Sequence, residues 1–212
     1  MAGFFITIEG IEGAGKTTIA KRLDAWLQSN GYKTFCTREP GGTEIGETLR
    51  ELILNAERPL TVQAELLLIE AARAQIMDEV ILPRLEEGIT VILDRHCDST
   101  TAYQGYGRGV NINLISQCNS FACQGRTPDL TILLDVDVKT GLMRAMKVRE
   151  RAGFQDRFET EDIDFMELVR KGFLEIARRE PSRVTVVSSQ EDIDVVWETV
   201  IADISNCLIP KS

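Results

Sequence analysis

Histidine is almost missing from these 212 residues: His96 stands alone, which removes multi-histidine metal sites and leaves little room for histidine acid/base chemistry. Cysteine is scarce and unpatterned. Cys36, Cys97, Cys118, Cys123 and Cys207 are odd in number and no two are spaced as CxxC, so zinc-ribbon and thioredoxin readings lack support, and the thiols are expected as small buried apolar residues. No stretch approaches the roughly 18 apolar residues of a membrane span. The amino-terminal run Met-Ala-Gly-Phe-Phe-Ile has no basic segment before it, as a secretory leader would. Positive charge is in deficit, with 24 Lys+Arg against 33 Asp+Glu and a net charge of −9, which argues against a polynucleotide-coating or anionic-membrane surface. A cytoplasmic protein is expected. Internal repeats, low-complexity tracts and Pro/Gly-rich linkers are also missing, so one domain spanning 1–212 is expected.

What is present alternates. Short β-rich apolar runs at Phe4–Glu9, Lys33–Arg38, Ile89–Asp94, Leu130–Asp135 and Val184–Val187 read as strands. Two of them are apolar on both faces until they end in Asp, as in a parallel sheet covered on both sides. Helical patterns fill the gaps: Thr17–Asn30, Glu44–Asn55, Thr61–Glu87, Asn113–Phe121, Lys139–Arg149, Ile163–Arg179 and Val195–Leu208. Asn30-Gly31 and Gly88 mark helix ends. The alternation predicts an α/β fold, a five-stranded parallel sheet with helices on both faces. The charged, aperiodic segment Arg149–Glu159 reads as a lid.

The strongest chemical signal follows the first strand. Gly10-Ile11-Glu12-Gly13-Ala14-Gly15-Lys16-Thr17 fits GxxxxGK[ST], with a strand before it and a helix, opening at Thr18, after it. Glycines let successive backbone N–H groups turn toward phosphate oxygens, and the helix dipole adds attraction for the anion. Lys16 is placed to reach the β- and γ-phosphates and the Thr17 hydroxyl to ligate Mg²⁺. ATP binding in a P-loop NTPase fold is the expectation.

Motors, GTP switches and small-molecule kinases share this loop. The guanine-reading Asn-Lys-x-Asp of a switch is absent, and where a motor carries Asp-Glu this chain has Asp94-Arg95, better suited to gripping an anionic acceptor. Arg38 ends the second strand, where open α/β sheets bind ligands; Arg50 and Arg73 lie on helices, and Arg149, Arg151 and Arg157 lie in or beside the lid. Transfer between two anions needs such a crowd of cations, and a phosphate acceptor needs no general base.

Taken in order, Glu9-Gly-Ile-Glu-Gly-Ala-Gly-Lys-Thr-Thr18, Thr37-Arg-Glu-Pro-Gly-Gly-Thr43, Glu70-Ala-Ala-Arg-Ala-Gln75, Asp94-Arg-His-Cys-Asp-Ser-Thr-Thr-Ala-Tyr-Gln-Gly105, Pro128-Asp129 and Asp156-Arg-Phe-Glu159 resemble thymidylate kinase of the bacterial type. The resemblance implies transfer of the γ-phosphoryl group of ATP to dTMP with Mg²⁺, on a P-loop fold that forms a homodimer through helices. It implies that residues 10–18 hold ATP, and that Glu12 meets the 3′-hydroxyl of the dTMP sugar. Arg95, Arg50, Arg38 and the adjoining Pro40 would hold the acceptor. Arg73, Ser99, Thr100 and Gln104 would read the base, and Tyr103 would crowd the 2′ position. Thr17, Asp94 and Glu159 would serve the metal. With Gly13 small, the catalytic arginine would come from the lid, as Arg149 or Arg151.

One position departs from the family pattern. Ile69 stands where a phenylalanine usually stacks on thymine, forgoing about 0.5–1.5 kcal/mol of aromatic stacking. A kinase for another or modified pyrimidine monophosphate, or an ATP-sensing regulator, remains an alternative at this stage. Arg144 and the turn Ser188-Ser189-Gln190 are candidates for the adenine side.

Overall fold

The structure is a computed structural model and describes residues 3–56, 58–152 and 163–208. In chain order its elements are β1 (Phe5–Glu9), α1 (Lys16–Ser29), β2 (Thr34–Arg38), α2 (Glu44–Asn55), α3 (Val62–Ile76), α4 (Leu82–Glu86), β3 (Thr90–Asp94), α5 (Cys97–Thr100), α6 (Ile112–Ala122), β4 (Leu130–Asp135), α7 (Val138–Ala152), α8 (Ile163–Arg179), β5 (Val184–Ser188) and α9 (Ile193–Leu208). The strands form one parallel sheet in the order β2-β3-β1-β4-β5.

The continuous apolar character of the strands has a direct structural reason, because both faces are covered. Phe5, Val91 and Leu93 pack with Ile76, Met77, Ile81 and Leu85 from the α3–α4 side. Ile6, Ile8 and Ile92, pointing the other way, join Ile19 and Leu23 of α1, Val169 and Phe173 of α8, and Val200 of α9. Two buried strand hydroxyls, Thr7 and Thr131, pair with each other at 2.7 Å.

Two segments differ from the sequence expectation. The pattern Thr61–Glu87 is not one helix: α3 ends at Ile76, a π-helical turn covers Met77–Ile81, and α4 restarts with Pro83 near its beginning. Proline has no N–H to give and its ring crowds the carbonyl four residues earlier, so the helix widens just ahead of it. The stretch after Asp94-Arg95, which the sequence left without an element, coils into α5 and a second π-helical turn over Thr101–Gly107. At the other end, α7 runs through Ala152, so Arg149 and Arg151 belong to its last turns. Glu159 and the rest of the lid segment, 153–159, lie outside the described residues.

Register fixes which strand ends meet. Arg38 of β2 pairs with Asp94 of β3, and Ile8 of β1 pairs with the same Asp94, so the three carboxyl ends open at one level. Helix starts are capped by side chains at Thr43 and Thr61, which accept from the amides of Gly46 and Ala64. At α1 the preceding residue is instead Gly15, in left-handed conformation at φ 95°, with no side-chain cap. That leaves the amides at the helix start turned toward the loop. Among the described residues no helix is long and apolar enough to cross a membrane.

Ile92, midway along the interior strand β3, is wholly buried. Ile92→Ala is expected to cost about 2–5 kcal/mol of unfolding free energy. A urea titration with unchanged m-value and a lower midpoint would register it.

Candidate active site

A cavity of about 480 Å³ opens at the carboxyl ends of β1, β2 and β3. Its wall includes Glu12, Gly13, Gly15, Lys16, Thr17 and Thr18 from the loop and start of α1. Arg38, Pro40, Arg50, Ile69, Arg73, Asp94, Arg95, Ser99, Thr100, Tyr103 and Gln104 complete much of the rest. The residues picked out from distant parts of the sequence therefore share one enclosure. The exceptions are Gly10, Ile11 and Ala14, buried within the loop and no part of the wall, and Arg149, Arg151 and Glu159, of which the first two side chains and the whole of the third are not described.

The loop is shaped by backbone demands. Gly13 has φ 73°, and a Cβ there would sit 1.9 Å from the Gly141 carbonyl oxygen, so α7 presses against the loop only because both positions are glycine. Lys16, the first residue of α1, is buried and its Nζ donates to the Ile11 carbonyl at 2.7 Å, inside the loop's own turn. Burial and the neighbouring Arg95 lower its ammonium pKa to about 8. The Thr17 hydroxyl donates to Asp94 Oδ2, linking the loop to the end of β3.

Arg95 connects the segments around it. It adopts φ 70°, uncommon for a side-chain-bearing residue, and this turns its guanidinium back over the loop. The guanidinium donates to the Gly10 carbonyl at 3.1 Å, to Ser99 Oγ at 3.0 Å and to Glu12 Oε1 at 2.9 Å. It also reaches Tyr103 Oη at 3.3 Å, while that phenol donates to Glu12 Oε2. Burial alone would raise the Glu12 carboxyl, but Arg95 and Lys16 outweigh it and hold Glu12 below the usual carboxylate range.

Behind this layer lies a second one. Arg73, 1% exposed, spends four of its five N–H groups on protein acceptors. These are Glu39 Oε2 and Glu70 Oε1, both at 2.8 Å, and Asn119 Oδ1 and Thr100 Oγ1, both at 2.9 Å. Gln104 donates to Glu65 Oε1 at 2.7 Å, while its own amide oxygen is buried with no partner among the described residues. Arg50 donates to the Pro40 carbonyl, and Arg38, half exposed, pairs with Glu47 at 3.0 Å. On the far side Arg144 donates to the carbonyls of Ser189 and Gln190, joining α7 to the turn after β5.

Sequence reasoning gave no role to Glu9, Glu39, Glu65 or Asn119, whose work is to hold other site residues. Glu39 was visible inside Arg38-Glu-Pro40, but nothing in one dimension ties it to Arg73. Glu9 accepts from the His96 amide at 2.7 Å and from Ser99 Oγ at 2.6 Å. Burial pushes its carboxyl up to about 7, with Asp98 adding to the rise.

The arrangement gathers a phosphate-embracing loop, a lysine, several arginines and a polar cleft at one sheet edge, the equipment for moving a phosphoryl group between anions. The family model described as thymidylate kinase matches residues 8–200. The chain belongs to the thymidylate kinase family. It is 43% identical over 205 residues to the thymidylate kinase of Pelobacter propionicus, covering 95% of this chain and 94% of that one. It is 46% identical to the thymidylate kinase of Carboxydothermus hydrogenoformans, over 93% and 95% of the two chains. The crystal structure of thymidylate kinase from Ehrlichia chaffeensis superposes with a TM-score of 0.79 at 35% identity, covering 97% of this chain and 100% of that one. Thymidylate kinases are thus its relatives in both sequence and fold.

The raised Glu9 pKa has a thermodynamic consequence. Between about pH 4.5 and 7 the folded state holds a proton there that the unfolded chain has released, so stability falls as pH rises through that window. The expected fall is on the order of 1–3 kcal/mol. Glu9→Gln should flatten this part of the profile in denaturant unfolding at stepped pH. An unchanged slope would assign it to another group.

Proposed function

We propose that this thymidylate kinase moves the γ-phosphoryl group from ATP to dTMP across the 480 Å³ cavity, with the donor on the Gly10–Thr18 loop and the acceptor against Arg95. The observation that carries the reading is the meeting of Lys16, at the start of α1, with Asp94 and Arg95, at the end of β3, within one enclosure with Arg50 and Arg73. An oxygen of the dTMP phosphate, already deprotonated at neutral pH, attacks the γ-phosphorus as its bond to the β,γ-bridging oxygen breaks, and ADP leaves with that electron pair. Backbone amides of the loop and Lys16 neutralise the donor phosphates.

The Thr17 hydroxyl and the Asp94 carboxylate, already hydrogen-bonded to each other, are the hard oxygen donors that suit Mg²⁺. When bound, the ion would neutralise charge on the β- and γ-phosphates. Glu159 is proposed to assist it, and Arg149 or Arg151 to supply the lid cation, within a single domain of 212 residues. Arg95, with Arg50 and Arg38, grips the acceptor phosphate. Glu12 and Tyr103, joined by their hydrogen bond, face the sugar. Gln104 offers its unpartnered amide oxygen to a base N–H, beside Thr100, Ser99 and Arg73. Ile69 packs on the base where aromatic stacking is forgone. A homodimer is supported by the apolar residues that α3 and α6 leave exposed, Leu67, Leu114 and Phe121, the last 86% exposed. A cytoplasmic location fits ATP as the donor.

Lys16→Ala is expected to lower kcat/KM by about 10²–10³-fold, the range for losing one preorganised charge partner, with circular dichroism unchanged. Arg95→Ala should suppress dTMP-dependent ADP release. A coupled assay run with dTMP, dUMP, dCMP, dGMP and no acceptor tests the reading as a whole, since acceptor-independent ADP release alone would sink it. Tyr103→Ala should narrow the preference for dTMP over its ribonucleotide counterpart. Phe121→Asp should shift sedimentation toward the monomer.

A further inference from the structure

The cysteines, unpatterned in sequence, are not scattered in space. Cys97 opens α5 just after the β3 bend, and Cys123 follows the last turn of α6. Their Sγ atoms lie 3.2 Å apart. His96 Nε2 lies 3.5 Å from Cys123 Sγ, and all three ligand atoms fall within 4.8 Å of one another. We propose that His96, Cys97 and Cys123 form a binding site for a thiophilic divalent cation of the zinc type, separate from the Mg²⁺ that serves the phosphates.

Distances support this choice. Zinc binds sulfur at about 2.3 Å and imidazole nitrogen at about 2.0–2.1 Å, so a tetrahedral site sets sulfur and nitrogen about 3.5 Å apart and two sulfurs about 3.8 Å apart. The sulfur–nitrogen pair already has that spacing, and the sulfurs need to open by roughly half an ångström.

The outer shell is also in place. His96 Nδ1 meets Glu39 Oε1 at 3.0 Å, the carboxylate–histidine arrangement that fixes a ligating ring and raises its basicity. The Phe5 ring packs edge-on against the imidazole with centroids 5.2 Å apart, and His96 and Cys123 are almost fully buried. Glu39 in turn holds Arg73, so the cation would brace the floor of the acceptor cavity from behind.

Charge selects the valence. Coordination expels both thiol protons and leaves Nε2 unprotonated. Two thiolates and a neutral imidazole around a dication then sum to zero, the one total that burial tolerates cheaply. Cys97 and Cys123 also line a second cavity, of about 400 Å³, from which a water or small ligand could take the fourth position. Phosphoryl transfer uses neither sulfur.

The test is cobalt titration of the full-length protein, stripped with a chelator and kept reduced with a phosphine. One Co²⁺ per chain is expected, with thiolate-to-cobalt charge-transfer absorption that one equivalent of Zn²⁺ bleaches. The absorption should vanish in Cys97→Ser/Cys123→Ser, and persist in Cys36→Ser/Cys118→Ser and in Lys16→Ala. A second readout needs no variant: Zn²⁺ should slow alkylation of Cys97 and Cys123 by at least about tenfold, as coordination consumes the reactive thiolate, while Cys36 and Cys118 react as before. Absence of the cobalt–thiolate band, its survival in the double variant, or protection spread evenly over all thiols would overturn the site.

Discussion

The Arg95 guanidinium stands where three chain segments cross: the loop after β1, the end of β3 and the π-helical turn after α5. Its bonds to the Gly10 carbonyl, Glu12, Ser99 and Tyr103 fix the distance between the loop and the α5 side of the cavity. This requires the left-handed backbone at Arg95, a conformation that costs on the order of 1–2 kcal/mol for a residue with a side chain. The amide of Arg95 donates to the Ile8 carbonyl at 3.0 Å, so the bend is continuous with the sheet. Arg95 is preorganised by acids and hydroxyls that are themselves pinned to β1 and α5.

The same logic governs the deeper layer. Removing one partner from a buried ion pair typically costs about 3–5 kcal/mol, because the other charge is stranded in a poor solvent. Arg73 is therefore secured by Glu39, Glu70, Asn119 and Thr100, drawn from four separate segments. Glu39 reaches both Arg73 and His96, and joins the cavity wall to the histidine–cysteine cluster behind it. The net charge of −9 includes these acids, and so a chain with surplus negative charge can maintain a cation-rich cavity for two nucleotides.

Some of this was readable in one dimension. The P-loop carries its chemistry in consecutive residues, because the turn, the amides, the lysine and the hydroxyl are all local. Strand limits followed from short apolar runs, most of them ending in a charged residue, and helices such as α2 and α8 from uninterrupted amphipathic spacing with clear ends. The break in α3–α4 was missed, since Thr61–Glu87 reads as one amphipathic run despite Pro83, and whether a helix kinks, stops or widens there depends on what packs beside it. The coil over Cys97–Gly107 carried no clear period, because its residues face the cavity, α6 and α8 in turn.

The sequence by itself determined the fold class, the glycine-rich loop between β1 and α1 and the family, since each rests on local spacing or on motifs kept in order along the chain. Tertiary structure alone decided the partners. It set Arg95 on Glu12 across 83 positions, Arg73 on Glu39 across 34, and Cys123 against Cys97 across 26. Parallel strands joined by helical crossovers bring remote segments to one sheet edge, and no local pattern encodes which side chains meet there. Cys123 illustrates the point: it meets the adjacent pair His96-Cys97 only because the end of α6 packs beside the bend after β3, a meeting that leaves no mark in the order of residues.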